Sequence, residues 1–386
     1  MTIPELPVAR TCPFAPPELH PRLREHEPVA RVRTPSGRSA WFVTRYDDVR
    51  TVLSDPRFSS DRSKPGFPSL SAGGGGESMR TMLGMDAEEH RAARGAVLGE
   101  FTLRRVAALR PRIQEIVDGL VDDMLAAGGP VDLVEMLALP VPSLMICELL
   151  GVPYADHSFF QESTATLFAR EMPPEVAAAA FERLYGYLGE LVKAKETEPG
   201  DDLLSRQIAA GAHDHTYLVG LAFLLLAAGH ETTANMISLG VLGLLEHLPA
   251  SLTAAAVPDA VEELLRYFSI TDTVPLRIAV EDVEVAGVIV KAGDGVLPSL
   301  YAANWDPAAF SSPSELDFTR GARHHVAFGF GPHQCLGQNL ARAELQIVFE
   351  TLFRRIPTLK LATAVDDLPG KEKASVYGLR RLPVSW

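Results

Sequence analysis

Leu109, Ile113, Ile116, Val117, Leu120, Val121, Met124 and Leu125 recur at spacings of three and four, a pattern that lines one face of an α-helix and suits no strand. The same period returns at about 131–150, 177–195, 201–211, 215–247, 256–268 and 337–355. Gly128-Gly-Pro130, Gly151-Val-Pro153 and Pro173-Pro174 punctuate these stretches, because proline lacks the helical donor and glycine weakens a helix interior. A chain patterned this way folds mainly into packed helices.

Two regions carry the other period. Trp41-Phe-Val-Thr44 follows the turn-forming Thr34-Pro-Ser-Gly37, which predicts an early hairpin. Between roughly 274 and 298, Val and Ile alternate with charged or small residues around Gly287 and Gly293, which predicts short strands and tight turns. The fold class expected is mainly α with a small β region. Ser59 to Met79, with its run Gly73 to Gly76, and Glu171-Met-Pro-Pro-Glu175 read as loops. No linker separates two periodic halves, so residues 1–386 read as a single domain.

Charge excludes some partners. The formal net charge of −13 repels phosphate backbones and anionic membrane surfaces, so neither nucleic acid nor membrane is expected. Cys12, Cys147 and Cys335 show no paired spacing, which fits a reducing, cytoplasmic setting. Pro4 and Pro7 interrupt the N-terminal segment, which lacks the basic flank and apolar run of a signal peptide. The apolar run Tyr217 to Ala228 falls short of the roughly 20 residues that cross a bilayer.

Phe328-Gly-Phe-Gly-Pro-His-Gln-Cys335-Leu-Gly337 is the most informative segment. Its glycines permit a tight turn that exposes the sulfur, and amides at the start of the following helix favour a thiolate. An isolated cysteine on such a turn is more often an inert free thiol. A second segment, Ala228-Gly-His-Glu-Thr-Thr233, puts glycine, an acid and hydroxyls inside an apolar helix, where each is locally costly. Either Glu231 sits at a bend facing water while a threonine bonds back one turn, or the group is functional.

Together the two segments resemble those of bacterial, actinomycete-like cytochrome P-450 haem-thiolate monooxygenases, and the resemblance extends from Trp41-Phe-Val-Thr44 and Asp55-Pro-Arg-Phe58 to Tyr377-Gly-Leu-Arg-Arg-Leu-Pro-Val384. It implies haem b, iron protoporphyrin IX, lying between the long oxygen-activation helix and the cysteine loop with its following helix. Cys335 would ligate the iron, where thiolate donation favours O–O cleavage. His333, His90, Arg94 and Arg277 would bind the haem propionates, although each cation taken singly is also compatible with a solvated surface role. Glu231 and Thr232 would be the acid and alcohol that deliver protons during dioxygen cleavage, and Gly229 would leave room for oxygen and a local opening of the helix.

Further implications concern fold and partners. Glu263 and Arg266, an ordinary surface pair by spacing alone, would be a buried structural pair meeting an arginine-bearing meander at Asn304-Trp-Asp-Pro-Ala-Ala-Phe310. There Trp305 replaces the usual arginine, which predicts altered local contacts. By analogy the loop 60–80, region 159–175, Leu224 to Ala228, Val274 to Ile278 and Ser375-Val376 line the cavity, and their apolar character suits a hydrophobic small-molecule substrate. No flavin or iron–sulfur segment is evident, so electrons are expected from a separate ferredoxin and its NAD(P)H-dependent reductase. Arg91, Arg104, Arg105, Arg323 and Arg342 could form the docking patch.

The activity implied is hydroxylation or epoxidation with O2. Oxidative coupling or cyclisation on the same haem, and a non-catalytic haem-binding or recruiting role, are the alternatives.

Overall fold

A computed structural model describes all residues except 1, 2, 7, 71–80, 169–172, 212–213, 248–251, 273, 373 and 375. The loop expected around Gly73 to Gly76 and most of the Glu171 stretch therefore lie outside the described residues. The chain divides into two compact units, each assembled from three segments. The first comprises Met1–Ala93, Glu262–Leu336 and Gly370–Tyr377, and the second Arg94–Val261, Gly337–Pro369 and Gly378–Trp386.

The first unit is built on a five-stranded sheet in the order Val29–Arg33, Ser39–Val43, Gly295–Pro298, Arg277–Ala279, Phe58–Ser59. The expected early hairpin is its edge: Val29 pairs with Val43 and Arg33 with Ser39 in antiparallel register. Ser39–Val43 then runs parallel to Gly295–Pro298, Ala40 opposite Gly295, so sequence-distant segments meet in one sheet. Side chains alternate between faces: Ala30, Val32, Ala40 and Phe42 pack with Leu6, Leu23 and Leu297, whereas Val29, Val43 and Val296 pack with Val49, Val52 and Leu53. Val283–Val285 and Val288–Val290 form a separate hairpin, turned by Ala286 and Gly287 at φ values of 48 and 80°, the paired positive angles that a tight two-residue turn requires.

Helices dominate the second unit. Leu103–Ala127 buries Ile113, Ile116, Val117, Val121 and Met124 of the expected stripe and Val106 besides, while Leu109 and Leu120 are half-buried and Leu125 faces outward, 38% exposed. Its end falls at Gly128, whose φ of 71° lies where glycine is favoured. Pro174–Thr197, Leu203–Ala210, His215–His247 and Gln338–Arg355 follow the periodicity within a few residues. The stretch expected as one helix at 131–150 instead opens with a two-residue strand, Val131–Asp132, and a π-turn, Val134–Ala138, before Pro140–Leu150. Pro140 and Pro142 supply no backbone donor, which suits a helix start rather than an interior.

His215–His247 is buried nearly all round, and this is why its sequence lacks a polar face. Its 33 residues make it long and apolar enough to cross a membrane, contrary to the reading of the shorter run alone, but 61% of its most apolar window is buried inside the protein. Gly240 lets Gln338–Arg355 approach, since a Cβ there would lie 2.3 Å from Phe349 Cζ.

Candidate haem-thiolate site

In the first unit, Val326 to Leu336 forms the cysteine loop. Gly329 and Gly331 both have φ of 73°, and a Cβ on Gly331 would stand 2.7 Å from the Leu53 carbonyl oxygen. Glycine is therefore needed twice before the cysteine. Gly337, at φ −83°, adopts a conformation open to any residue and starts Gln338–Arg355, so the third glycine is not required by the turn. The Cys335 N–H closes the loop on the Phe328 carbonyl at 2.8 Å, and Cys335 itself is exposed.

His333 stands two residues before Cys335 in a 3₁₀ turn, Gly331–His333. Its ring stacks on that of His90 with centroids 3.9 Å apart and planes at 27°. His90 is buried on the helix Ala87–Leu98. Two imidazoles from distant parts of the chain thus meet face to face beside the cysteine turn.

Arg277, on the strand Arg277–Ala279, is buried; its Nη1 donates to the Leu276 carbonyl at 2.9 Å while its Nη2 has no hydrogen-bond partner. Burial lowers its pKa to about 10, opposed by the charge of Asp86. A buried guanidinium with an unmet donor is suited to a carboxylate.

The second unit holds Arg94, Glu231 and Thr232. Arg94 is half-buried, one helical turn beyond His90 on the same helix. Glu231 is buried, not turned to water, and its Oε1 accepts from Asn235 Nδ2 at 3.2 Å. Thr232 Oγ1 donates to the Ala228 carbonyl, one turn earlier, at 2.7 Å. Back-bonding and burial of the acid therefore occur together, whereas the sequence offered back-bonding only with an acid facing water.

The helix runs unbroken through Gly229, so the expected local opening is not seen. A Cβ at Gly229 would lie 3.2 Å from Ile146 Cδ1, a tight contact that the end of that side chain would have to relieve. Of the expected cavity-lining stretches, residues 71–80, 169–172, Thr273 and Ser375 lie outside the described residues. Among the expected docking arginines, Arg91 pairs with Glu88 and Arg105 with Glu100, which reduces their free charge.

Several residues escaped the sequence reading. Asn235 lies at i+4 from Glu231, a spacing that could have revealed it. Glu344, on Gln338–Arg355, is buried and hydrogen-bonded to Thr233; burial raises its pKa to about 8. In the first unit, Glu263 and Arg266 are buried as expected, but the arginine that joins them is Arg320, whose Nε lies 3.1 Å from Glu263 Oε1. Trp305 belongs to an aromatic group with Tyr267 and Tyr301, its Nε1 donating to the Tyr267 carbonyl at 2.9 Å. The meander thus replaces a guanidinium with packed rings.

These side chains fit haem. Cys335 offers one accessible sulfur, and Arg277 and the paired imidazoles offer donors for carboxylates. Among the described residues no group of three or more His, Cys, Asp or Glu could hold a metal ion by itself.

Residues 256–375 match the family described as cytochrome P-450. The chain is 50% identical to pentalenic acid synthase of Streptomyces avermitilis, over 98% of this chain and 96% of that protein. It is 45% identical to vitamin D3 dihydroxylase of Streptomyces griseolus, over 99% and 97%. The crystal structure of cytochrome P-450 MoxA from Nonomuraea recticatena superposes with a TM-score of 0.93 at 58% identity, covering 99% of this chain and 98% of that one. The chain belongs to the cytochrome P-450 family, as a haem-dependent oxidoreductase with the mainly helical fold of that family.

Proposed function

We propose that this protein is a ferredoxin-dependent monooxygenase that hydroxylates or epoxidises a hydrophobic natural product or xenobiotic with O2. The observation that carries the reading is the exposed Cys335 on a turn whose positive φ at 329 and 331 favours glycine. When bound, the haem supplies the iron that activates dioxygen, with thiolate donation favouring O–O cleavage. Cys335 would ligate that iron, and His90, Arg94, Arg277 and His333 would hold the propionates. Although the chain forms two compact units, neither is contiguous in sequence, and we read both as parts of one catalytic domain.

Glu231 and Thr232 are the proposed catalytic residues. With its hydrogen directed to the Ala228 carbonyl, the Thr232 oxygen keeps lone pairs that accept a hydrogen bond and so orient a proton in transit. Asn235 fixes the Glu231 carboxyl by holding Oε1, and the proton leaves and returns at that carboxyl. The apolar residues Leu224 to Ala227, ahead of this pair, suit a lipophilic substrate.

Reducing equivalents come from a separate ferredoxin and its NAD(P)H-dependent reductase, with Arg104, Arg323 and Arg342 among the docking charges. A cytoplasmic location agrees with three free cysteines. The test is turnover with ferredoxin, reductase and isotopically labelled O2 on a panel of lipophilic compounds. One labelled oxygen in the product supports the proposal. Product without label indicates oxidative coupling or cyclisation, and ligand binding without turnover indicates a recruiting role; either overturns it.

A further inference from the structure

Glu262 and Glu263 are consecutive on Val257–Phe268, yet they serve different segments. Glu263 meets Arg266 and Arg320. Glu262 meets His325: its Oε2 lies 3.3 Å from His325 Nε2, with the two side chains 7% and 1% exposed. The other ring nitrogen, Nδ1, accepts the Ala327 N–H at 3.1 Å. An imidazole accepting through Nδ1 carries its proton on Nε2, the nitrogen facing Glu262, so the carboxylate favours the tautomer the backbone contact requires.

Ala327 is the second residue of the cysteine loop. The preceding Val326 N–H donates to Asn304 Oδ1 at 2.8 Å, and the following Phe328 carbonyl accepts the Cys335 N–H at 2.8 Å. Residues 326, 327 and 328 thus each have a fixed partner, and the last is Cys335 itself. The Ala327 contact is the one in this series made to an imidazole, whose ring faces Glu262 on Val257–Phe268. Packing alone does not call for a nitrogen here, because the ring also sits against Phe328, with centroids 5.9 Å apart, where an aliphatic side chain would serve.

We propose that His325, held by Glu262, is a positioning residue that sets the backbone turn presenting the Cys335 sulfur. The inference rests on the reading of Cys335 as the iron ligand. Loss of the Nδ1 acceptor leaves the Ala327 N–H unpaired, loosens the closing contact at Phe328 and lets the sulfur drift from its ligating position.

The test uses the haem-loaded protein with His325→Leu and His325→Asn, the latter keeping an oxygen acceptor at the δ position. Two readouts are taken: hydrogen exchange at the Ala327 and Cys335 amides, and the reduced, carbon-monoxide-bound spectrum. His325→Leu should exchange about tenfold faster at both amides, the scale of one lost hydrogen bond, and shift part of the spectrum from the thiolate-type to the thiol-type band. His325→Asn should restore both. Wild-type behaviour in His325→Leu, or an equally perturbed His325→Asn, overturns the proposal. If His325→Leu does not load haem, a folded His325→Asn still decides: a thiolate-type band with slow exchange supports the role, and a thiol-type band refutes it. Failure of the underlying ligand assignment would look different, since the unmodified protein would then lack the thiolate-type band.

Discussion

Glu263 and Arg266 face each other one helical turn apart, fully shielded from solvent and joined by two hydrogen bonds of 2.8 Å. Arg320 and the Asp317 N–H also converge on Glu263 Oε1, at 3.1 and 3.0 Å. Removing one member of such a group strands the others without compensation. Glu263→Ala should therefore cost about 3–5 kcal/mol, read as a lower urea midpoint with haem bound. A loss under about 1 kcal/mol would show that the charges relax to other partners.

The pair was legible in the sequence as an i, i+3 spacing, but its burial came only with the family resemblance. Arg320 was not legible, because its partner is 57 positions away and no local period connects them. At Trp305 the sequence predicts altered local contacts, and the structure shows what they are: Tyr267 and Tyr301 pack around the ring. The long helix 215–247 was readable to the residue from its length and apolar character rather than from a polar face. The short helices Leu19–His26 and Tyr46–Ser54 were not. In the site, the glycine-rich cysteine turn and the acid and hydroxyl inside an apolar helix stand out by residue type, but the roles proposed for Glu231 and Thr232 come from the family resemblance, whereas the stacking of His90 on His333 arises only from the fold.

Glu344 links stability to pH. Burial raises its pKa from 4.5 to about 8, so the folded protein holds a proton that the unfolded chain releases. Its contribution is fully present below the unfolded value and is lost as pH rises from about 4.5 toward 8. Glu344→Gln keeps a hydrogen-bonding side chain without the titration. It should gain on the order of a few kcal/mol relative to the parent between pH 5 and pH 8. Parallel stability–pH curves from urea unfolding would contradict this.

The two loop glycines differ in what they exclude. Gly331→Ala combines a positive φ with a Cβ 2.7 Å from the Leu53 carbonyl, and should cost about 2–4 kcal/mol and impair haem retention. Gly329→Ala meets no atom closer than 3.9 Å and should cost only about 1–2 kcal/mol. Haem content and thermal midpoints of the two purified variants make the comparison. Equal losses would mean that backbone angle alone governs the turn.

Proton delivery separates oxygen use from product. Thr232→Ala should keep consuming O2 while product per O2 falls at least about tenfold, and Glu231→Gln should slow turnover by roughly a hundredfold. Oxygen uptake and product are measured together with a saturating ferredoxin system. Full coupling in Thr232→Ala would remove the hydroxyl from the mechanism.

The most direct measurement is the reduced, carbon-monoxide-bound absorption spectrum of the haem-loaded protein beside Cys335→Ser. The parent should show the red-shifted Soret band of a thiolate-ligated iron, and the variant should lose it. A parent without that band, or a Cys335→Ser protein that retains it, would contradict the assignment of Cys335 as the iron ligand.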